Sequence, residues 1–228
     1  MGEGDERQVL VIGHDHVAGL GHLGRELRRR GLRLTPVTVV PEHRFGRPDV
    51  SFPTISASDW AGIITLGAPW PRDRISSWSS QEVELLREAH DHEVPILGIC
   101  FGAQLLAEAL GGSVTRLATP RIGWYEIESS HAVLDTGPWF QWHRNQIEPP
   151  AGATVLATSV DGCEAFVSES SLGVQFHPEM TAELLGRWLS LPDHSLPDAR
   201  LLLKKTARHD GAELERRVRR FADLLHFP

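Results

Sequence analysis

The stretch that decides the fold is VPILGICFGAQLLAEALGG, residues 94–112. It opens with a short apolar run, passes through Cys100 with Gly98 and Gly102 on either side, and closes in an amphipathic run ended by two glycines. A buried strand followed directly by a glycine-terminated helix has this pattern. The sequence therefore predicts a strand that turns sharply into a helix, with a cysteine at the turn.

Strands and helices alternate through the first half of the chain. Three further runs are typical of buried strands: QVLVIG (8–13), RLTPVTVV (33–40) and WAGIITLG (60–67). Two amphipathic runs are typical of helices: GHLGRELRRRG (21–31) and SSQEVELLREAHDHE (79–93), the second with a serine cap and acids in its first turn. Because strands that alternate with helices form parallel pairs, we predict an α/β fold with a sheet covered on both faces.

The pattern changes after Gly112. Short strand-like runs separated by Gly, Pro and Asp turns follow, namely GWYEIES (123–129), ATVLATS (153–159), CEAFVSE (163–169) and LGVQFHP (172–178). TAELLGRWLSL (181–191) returns to helical periodicity, and about two more amphipathic helices come after it. We predict one domain over residues 8–190 and a C-terminal helical extension, residues 191–228, packed on it.

Composition limits the functional classes. Of the 228 residues, 41% are hydrophobic and 23% are charged, and the formal net charge is −7. An acidic chain of ordinary composition has no global attraction for nucleic acid or for an anionic membrane. The opening residues are polar, no apolar stretch approaches the ~20 residues of a membrane span, and two cysteines make no disulfide framework. We expect a soluble, cytoplasmic protein that binds neither nucleic acid nor membrane.

One motif suggests a different function. GLGHLG, residues 19–24, satisfies the G-x-G-x-x-G pattern of dinucleotide sites, and Glu42 lies roughly where a ribose-binding acid could sit. That pattern should follow its strand directly, whereas HDHVA intervenes after Gly13. A dinucleotide-dependent oxidoreductase is therefore a minor alternative.

Two histidine clusters, residues 14–16 and 90–92, each read His-Asp-His. Each cluster alone offers too few ligands for a metal ion, so no metal site and no cofactor are predicted. His14 and Asp15 nevertheless follow the first strand at its carboxyl end, where open α/β sheets bind ligands. We expect these two residues to lie near a site without holding a metal.

Cys100 has the surroundings of a nucleophile. A strand-to-helix elbow is crowded and exposes its turn residue, and the glycines around Cys100 match the G-x-S-x-G elbow of hydrolases. The helix that begins near Phe101 supplies partial positive charge and free amides, which favour a thiolate. The alternative, a buried structural cysteine, does not explain the flanking glycines.

A nucleophilic cysteine needs a base, and LGVQFHPEM, residues 172–180, offers one. His177 ends an apolar run, and we expect Pro178 to keep the backbone extended so that His177 and Glu179 project to the same side. A carboxylate beside the imidazole can hold its tautomer and stabilise its protonated form. The three residues Cys100, His177 and Glu179 are therefore the predicted catalytic set.

These motifs together resemble the class I (triad-type) glutamine amidotransferases, and most of all the free-standing GMP-synthetase-like members. The resemblance rests on PILGICFGAQLLAEALGG and GVQFHPEM, with weaker support from VLVIGHDHVAGLGHLGRELRRRG, ITLGAPWPRD, RIGWYEIE and FQWHRNQIEPPAGATVLATS, and spans about residues 8–190 in the family's order. It implies a flavodoxin-like, three-layer α/β/α fold with a mostly parallel central sheet.

The resemblance also implies the chemistry. Cys100 attacks the side-chain amide of glutamine, His177 acts as acid and base, and Glu179 orients His177. The tetrahedral oxyanion needs amide donors: the N–H of Phe101 is one on physical grounds, and the family's Gly-Gly-Pro loop, here Gly67-Ala68-Pro69, implies Ala68 as the other. The family also implies contacts to the substrate from Gly67, Gln104, His143, Arg144 and Asn145.

Two departures from the family leave alternatives open. Ala68 replaces a glycine, which is tolerable only if that backbone needs no positive φ, and Arg144 replaces the glycine of a substrate-gripping His-Gly-Asp loop. The substrate is thus glutamine or a related γ-glutamyl amide. The alternatives are a protein that needs a synthase or acceptor-domain partner to receive ammonia, and a non-catalytic regulatory module. The oligomeric state, a homo-oligomer included, stays open.

Four other residues attract attention by type. Cys163 lies in a short strand-like run without an elbow or an adjacent base, so it is interpreted as a packing residue. Trp124, Trp139 and Trp142 could line the site, although tryptophans more often pack in cores.

Overall fold

The computed structural model describes residues 8–192, 196 and 198–228. The strands are β1 (Gln8–Gly13), β2 (Arg33–Thr38), β3 (Gly62–Thr65), β4 (Ile96–Ile99), β5 (Ser113–Tyr125), β6 (Glu128–Ser129), β7 (Trp139–Glu148), β8 (Thr154–Ser159), β9 (Gly162–Ser168) and β10 (Ser171–Val174). The α-helices are α1 (Gly21–Arg29), α2 (Ser76–Asp91), α3 (Phe101–Ala109), α4 (Ala182–Leu189), α5 (Ala199–His209) and α6 (Ala212–Phe221).

All ten strands join one mixed sheet. The order is β2-β1-β3-β4-β10-β9-β7-β5, with β8 paired to β9 and β6 paired to β8. Strands β2, β1, β3, β4 and β10 are mutually parallel, and every pair beyond β10 is antiparallel. The predicted α/β fold is confirmed, but the sheet is parallel in only one half. The short turns after residue 112 explain the other half, because short connections join antiparallel strands.

Helices cover both faces of the parallel half. Leu10 and Ile12 of β1 belong to the core beneath α2 and α3, whereas Val9 and Val11 belong to the core beneath α1 and α6. Adjacent residues serve opposite cores because side chains alternate along a strand. Strands β3, β4 and β10 are buried at every position, as expected for strands with helices on both sides. The structure is therefore the three-layer arrangement that the sequence predicts.

The two C-terminal amphipathic helices are present and pack on this layered body. Leu214, Val218 and Phe221 of α6 are buried in the core that α1 also covers. Leu202 of α5 joins a smaller cluster with Leu184 of α4. Both helices pack on the rest of the chain, while the division into a domain and an extension at residue 190 stays a prediction.

Helix α2 begins earlier than its sequence pattern indicates. It starts at Ser76 after Ile75, without a side-chain cap and without an acid in its first turn, so the predicted serine cap near residue 79 is wrong. The side chain of Trp78 is fully buried and donates a hydrogen bond to the Pro48 carbonyl oxygen, 3.0 Å away. Tertiary packing of this tryptophan therefore extends the helix toward its N-terminus. No helix in the described ranges is long and apolar enough to cross a membrane.

Candidate active site

Cys100 lies at the elbow between β4 and α3. Its backbone angles are φ 54° and ψ −106°, a region that residues with a side chain rarely adopt. The Cys100 N–H donates to the Val174 carbonyl oxygen of β10 at 2.8 Å, and its own carbonyl oxygen accepts from Gln104 in α3 at 3.0 Å. The strand and the helix together hold the strained residue in place.

The two glycines beside Cys100 are required by close packing. A Cβ at Gly98 would lie 2.7 Å from Ala103 Cα, and a Cβ at Gly102 would overlap the Thr65 carbonyl oxygen of β3. Real Cβ atoms do not approach backbone atoms this closely, so neither position accepts a side chain. The sequence interpretation of G-I-C-F-G as a crowded elbow agrees with this geometry.

His177 and Glu179 come from the segment after β10, which lies beside β4 in the sheet. The His177 N–H donates to the Phe140 carbonyl oxygen at 2.8 Å, and a turn closed by Met180 follows. His177 Nδ1 lies 2.7 Å from Glu179 Oε1. The expectation that the backbone stays extended through Pro178 is wrong: the turn, not an extended run, returns Glu179 to the imidazole.

Cys100 and His177 flank one small space. A Cβ placed on Gly67 would lie 3.3 Å from His177 Cε1 and 3.8 Å from Cys100 Cβ. The Cys100 sulfur lies 3.7 Å from the Trp142 carbonyl oxygen. His177 Nε2 has no direct hydrogen bond of normal geometry to any described residue, although the sulfur is near enough to couple to the ring electrostatically. One imidazole nitrogen is thus left for a reacting group.

The electrostatics favour a protonated His177. Burial opposes the charge and lowers the pKa of His177. The Glu179 carboxylate and then the Cys100 sulfur raise the pKa by more than burial lowers it, so the result is about 10. An imidazolium beside a thiolate is the charge state that cysteine nucleophiles use. The structure therefore places a protonated imidazole beside the cysteine sulfur.

Aromatic rings wall the space on the side of α4. The Trp188 ring lies edge-on to the His177 ring with centroids 5.0 Å apart, and Trp142 packs against Trp188 at 5.9 Å. Only 6% of Cys100 and 2% of His177 are exposed. The site is enclosed, which strengthens every electrostatic interaction inside it.

The loop after β3 borders the same space through Gly67. The Gly67 carbonyl oxygen lies 2.9 Å from His14 Nδ1, and the Leu66 carbonyl oxygen accepts from Gly102 at 3.0 Å. Within the described residues, the amides of Ala68 and Phe101 donate no hydrogen bond. Ala68 does not have a positive φ, so alanine fits this loop without backbone strain.

The structure brings two of the other substrate candidates together. Asn145 Nδ2 of β7 lies 3.5 Å from Gln104 Oε1, and Gln104 Nε2 lies 3.3 Å from Gln175 Oε1. Gln104 is one turn into α3 from Cys100, so this amide chain borders the elbow. Arg144 does not join this chain: its side chain is exposed and makes no hydrogen bond or ion pair to the part of the chain described.

His143 is buried and has a structural environment. Its Nδ1 lies 2.8 Å from the Asn145 carbonyl oxygen, and its Nε2 lies 2.9 Å from Gln141 Oε1. Burial lowers the pKa of His143 to about 4, so the ring is neutral near neutral pH. A neutral ring carries one N–H and both neighbouring oxygens only accept, so the ring donates to one of them, and the side chain supports the segment that carries Asn145.

The remaining sequence motifs find structural explanations. Gly21 of the GLGHLG motif has φ 41°, and a Cβ there would overlap the Glu179 carbonyl oxygen, so this glycine lets α1 approach the His-Pro-Glu turn. No group of three or more metal-ligating side chains occurs within the described ranges. His90 lies 2.9 Å from Ser171 Oγ, and Asp15 accepts from the Val17 amide at 2.8 Å.

The second cysteine and the three tryptophans that the sequence analysis considered lie partly in the core and partly beside the site. Cys163 is buried, and burial followed by the nearby Glu164 raises the pKa of its thiol to about 12, in agreement with a packing role. Trp139 stacks on Phe176 in the core, and Trp124 stacks on His209. Trp142 borders Cys100 through its carbonyl oxygen.

Sequence reasoning missed the buried partners of the site. Glu82 and Thr65 bond each other beneath the loop of Gly67, and Trp188 borders His177. Glu82 gives no signal because acids recur along α2 and most of them are exposed. Such residues are identified by their neighbours in space, which come from distant parts of the chain.

The layered fold, the cysteine elbow and the paired histidine and carboxylate define a class of protein. A sequence model described as glutamine amidotransferase class-I matches residues 23–189, and the chain belongs to that family. Among curated relatives, the chain is 34% identical over 149 residues to a glutamine-hydrolysing GMP synthase of Aeropyrum pernix, covering 58% of this chain and 27% of that protein.

Further similarities concern a shorter relative and a solved structure. The chain is 39% identical over 98 residues to a glutamine-hydrolysing GMP synthase subunit of Saccharolobus solfataricus, covering 39% of this chain and 52% of that one. It thus spans about a quarter to a half of the curated relatives it matches. A glutamine amidotransferase of Thermotoga maritima superposes with a TM-score of 0.80 at 26% identity, covering 97% of this chain and 99% of that one.

Proposed function

We propose that this chain hydrolyses the side-chain amide of glutamine, or of a related γ-glutamyl compound, through a thioester on Cys100. The observation that carries the proposal is the positive-φ elbow at Cys100 beside the His177–Glu179 pair, in a chain of the class-I family. A buried structural cysteine needs neither a strained backbone nor an imidazole with one nitrogen left open.

The proposed reaction has two halves. The Cys100 thiolate attacks the amide carbon, and the N–H groups of Ala68 and Phe101 stabilise the oxyanion. His177 gives its proton to the leaving nitrogen, so ammonia departs and a γ-glutamyl thioester remains. Water then adds to the thioester while His177 takes up its proton. The second tetrahedral intermediate expels the thiolate and releases glutamate.

The amino-acid end of the substrate is proposed to lie along the amide chain next to the elbow. Gln104 and Asn145 border Cys100, and Gly67 leaves open the space between the sulfur and the imidazole. His143 supports Asn145 from below. Arg144 is exposed and is proposed to meet only a substrate that extends out of the site.

A synthase partner that accepts the ammonia is the second part of the proposal. The relatives named GMP synthase are glutamine-hydrolysing, and this chain matches only part of their length. The nearly complete burial of Cys100 and His177 favours a site whose opening depends on a bound substrate or partner. We also propose a cytoplasmic location. The proposal is compatible with a monomer and with a homo-oligomer.

The test is a product assay with the purified chain. Glutamine and a panel of γ-glutamyl amides are supplied, glutamate and ammonia are measured, and Cys100→Ala is the matched control. We expect the unchanged chain to release glutamate in equal amount to ammonia, or to the amine that a substituted γ-glutamyl amide carries, and the variant to release none above background. Equal turnover in the two proteins contradicts the proposal.

If the purified chain shows no hydrolysis, labelling with a glutamine-analogue electrophile distinguishes a partner-dependent enzyme from a non-catalytic module. If Cys100 is labelled, and the Cys100→Ala variant is not, the result supports a reactive site that needs a partner for turnover. Absence of labelling supports a regulatory module that has kept the fold but lost the activity.

A further inference from the structure

Beneath the loop of Gly67 lies a buried polar network that the proposed reaction does not use. His14 follows β1 directly and is fully buried. Its Nδ1 lies 2.9 Å from the Gly67 carbonyl oxygen, and its Nε2 lies 2.9 Å from Oε2 of Glu82 in α2. Thr65 Oγ1 at the end of β3 donates to Glu82 Oε1 at 2.5 Å. Residues from three separate elements thus form one hydrogen-bonded chain, and His14 links that chain to the Gly67 carbonyl oxygen.

The orientation of one peptide group depends on this contact. The Gly67–Ala68 peptide is trans and planar, so its C=O and its N–H point in opposite directions. A carbonyl held toward His14 therefore directs the Ala68 N–H to the opposite side. Gly67 allows backbone conformations that a residue with a side chain would exclude, and this freedom makes a tether necessary.

The hydrogen-bond partners fix the protonation of the ring. A carbonyl oxygen only accepts, so Nδ1 donates to Gly67, and an ionised Glu82 that accepts from Thr65 also accepts from Nε2. Burial lowers the pKa of His14, but Glu82 raises it more, and the net direction is upward. A doubly protonated ring donates on both sides at once.

The ring itself is clamped by aromatic side chains. It stacks on Trp78 with centroids 5.2 Å apart and 13° between the planes, and the Phe101 ring meets it edge-on at 5.2 Å. Phe101 is the residue whose amide is the other candidate oxyanion donor. The same imidazole thus contacts the ring of Phe101 and the carbonyl oxygen of the peptide that carries the Ala68 amide.

We propose that His14, anchored by Glu82, is a positioning residue that orients the Gly67–Ala68 peptide so that the Ala68 amide stabilises the oxyanion. This inference rests on the proposed function. It makes a distinct claim: His14 touches neither the substrate nor the reacting atoms, and acts through the peptide that it holds.

Two substitutions of similar size separate the two contacts of the ring. In His14→Asn the amide nitrogen takes a position near Nδ1 and can still donate to the Gly67 carbonyl. In His14→Gln the amide nitrogen takes a position near Nε2 and meets Glu82 instead. Both variants are neutral and both leave a smaller side chain beside Trp78, so a merely structural role predicts similar losses in the two.

The kinetic test measures kcat and KM for glutamine in both variants. Removing one oxyanion donor lowers kcat by about 10²- to 10³-fold in well-studied hydrolases, so a misdirected donor should cost about 10- to 100-fold. We expect that loss of kcat in His14→Gln with KM within about 3-fold, and a kcat within about 5-fold of the unchanged chain in His14→Asn. His16→Gln, two positions along the chain, is the control and should leave kcat unchanged.

A thiol-reactivity test excludes an effect on the nucleophile. Alkylation of Cys100 by iodoacetamide needs the thiolate but no oxyanion donor, so we expect the same rate in both variants and in the unchanged chain. Equal kcat values in His14→Gln and the unchanged chain overturn the inference. So does a parallel loss of kcat and alkylation rate in both variants.

Crystal structures of the two variants distinguish failure of the inference from failure of the proposed function. We expect the Gly67 carbonyl to leave its position in His14→Gln and to keep it in His14→Asn. If the unchanged chain hydrolyses no amide but the peptide still turns only in His14→Gln, the proposed function fails and the orienting role stands. If the peptide has one orientation in both variants, the inference fails whatever the activity.

Discussion

Two buried histidine–carboxylate pairs lie near the Cys100 elbow. They differ in the hydrogen bonding of the imidazole nitrogen that does not face the carboxylate. In the first pair, His177 Nδ1 lies 2.7 Å from Glu179, and Nε2 has no hydrogen bond of normal geometry to the described residues. In the second pair, His14 Nε2 lies 2.9 Å from Glu82 while Nδ1 bonds the Gly67 carbonyl oxygen. The carboxylate raises the pKa of the imidazole in both pairs.

The difference shows that a buried ion pair does not define a catalytic group. Both imidazoles face a carboxylate, but only His177 has a nitrogen without a hydrogen bond of normal geometry to the described residues. His14 donates both protons to the protein, so it can only hold other groups in place. In the proposed reaction, the role of His177 follows from this open nitrogen rather than from the charge.

The largest expected effect comes from removing that nitrogen. His177→Gln keeps a polar side chain of similar length but cannot exchange a proton at neutral pH. We expect kcat for amide hydrolysis to fall by at least ~10³-fold, because triad members act as a unit. Stopped assays for glutamate measure the loss, and circular dichroism checks that the fold is kept. A kcat within tenfold of the unchanged chain would show that His177 is not the acid and base.

A smaller effect is expected when the carboxylate of the first pair is neutralised. Glu179→Gln keeps the shape but removes the negative charge, so the pKa of His177 should fall below its value of about 10. We expect kcat to fall by about 10²-fold and the basic limb of the pH–rate profile to move to lower pH. NMR titration of His177 Cε1–H measures the pKa directly. An unchanged titration curve would contradict the assigned coupling.

That substitution also changes how stability depends on pH. His177 is protonated in the folded chain up to about pH 10, whereas its ordinary pKa is 6.5. Its contribution is therefore fully present below pH 6.5 and is lost as pH rises toward 10. In Glu179→Gln, the contribution of His177 to the free energy of unfolding should be lost at a lower pH. Urea unfolding at a series of pH values measures this shift.

The same comparison explains what could be predicted from the sequence. Gly98, Cys100 and Gly102 are neighbours in the chain, and so are His177 and Glu179, so their signals are local. The partners His14 and Glu82 are 68 positions apart, and no short pattern connects them. Only the fold brings β1, β3 and α2 together beneath the loop.

Local rules also fail where packing overrides them. Ser79 precedes a helical pattern and so predicts a cap, but burial of Trp78 moves the start of α2 to Ser76. The turn after Pro178 depends on contacts with neighbouring elements, including the approach of Gly21 to the Glu179 carbonyl. Sequence reasoning found the candidate reactive residues and expected His14 near a site, but it missed the buried Glu82 that His14 contacts.

The second pair should matter more for stability than an exposed acid on the same helix. Glu82→Ala leaves the His14 ring without its anion and creates a buried gap beside Thr65. We expect a loss of about 3 kcal/mol in the free energy of unfolding, and a smaller loss in Glu82→Gln. Glu84→Ala, at an exposed position of α2, is the matched control and should change stability by less than about 0.5 kcal/mol. Urea unfolding at pH 7 measures all three, and equal effects of the Glu82→Ala and Glu84→Ala substitutions would remove the anchoring role.

A third buried histidine, His143, sharpens the comparison because its partners are a carbonyl and a carboxamide rather than a carboxylate. Burial lowers its pKa to about 4, the opposite direction from the two pairs. Between pH 6.5 and about 4 the unfolded chain binds a proton at this residue that the folded chain does not. Stability from this residue is therefore lost as pH falls, by up to about 1.4 kcal/mol per pH unit.

The measurement compares urea unfolding of the unchanged chain and His143→Gln at pH 7 and pH 5. Glutamine does not titrate, so we expect the variant to lose less stability on acidification, by about 1 to 2 kcal/mol over this interval. His92→Gln, at an exposed position, is the control and should keep the acid sensitivity of the unchanged chain. If His143→Gln keeps it too, the lowered pKa is not what makes the fold sensitive to acid. The exchange of a carboxylate for neutral partners would then not account for how the stability of this protein depends on pH.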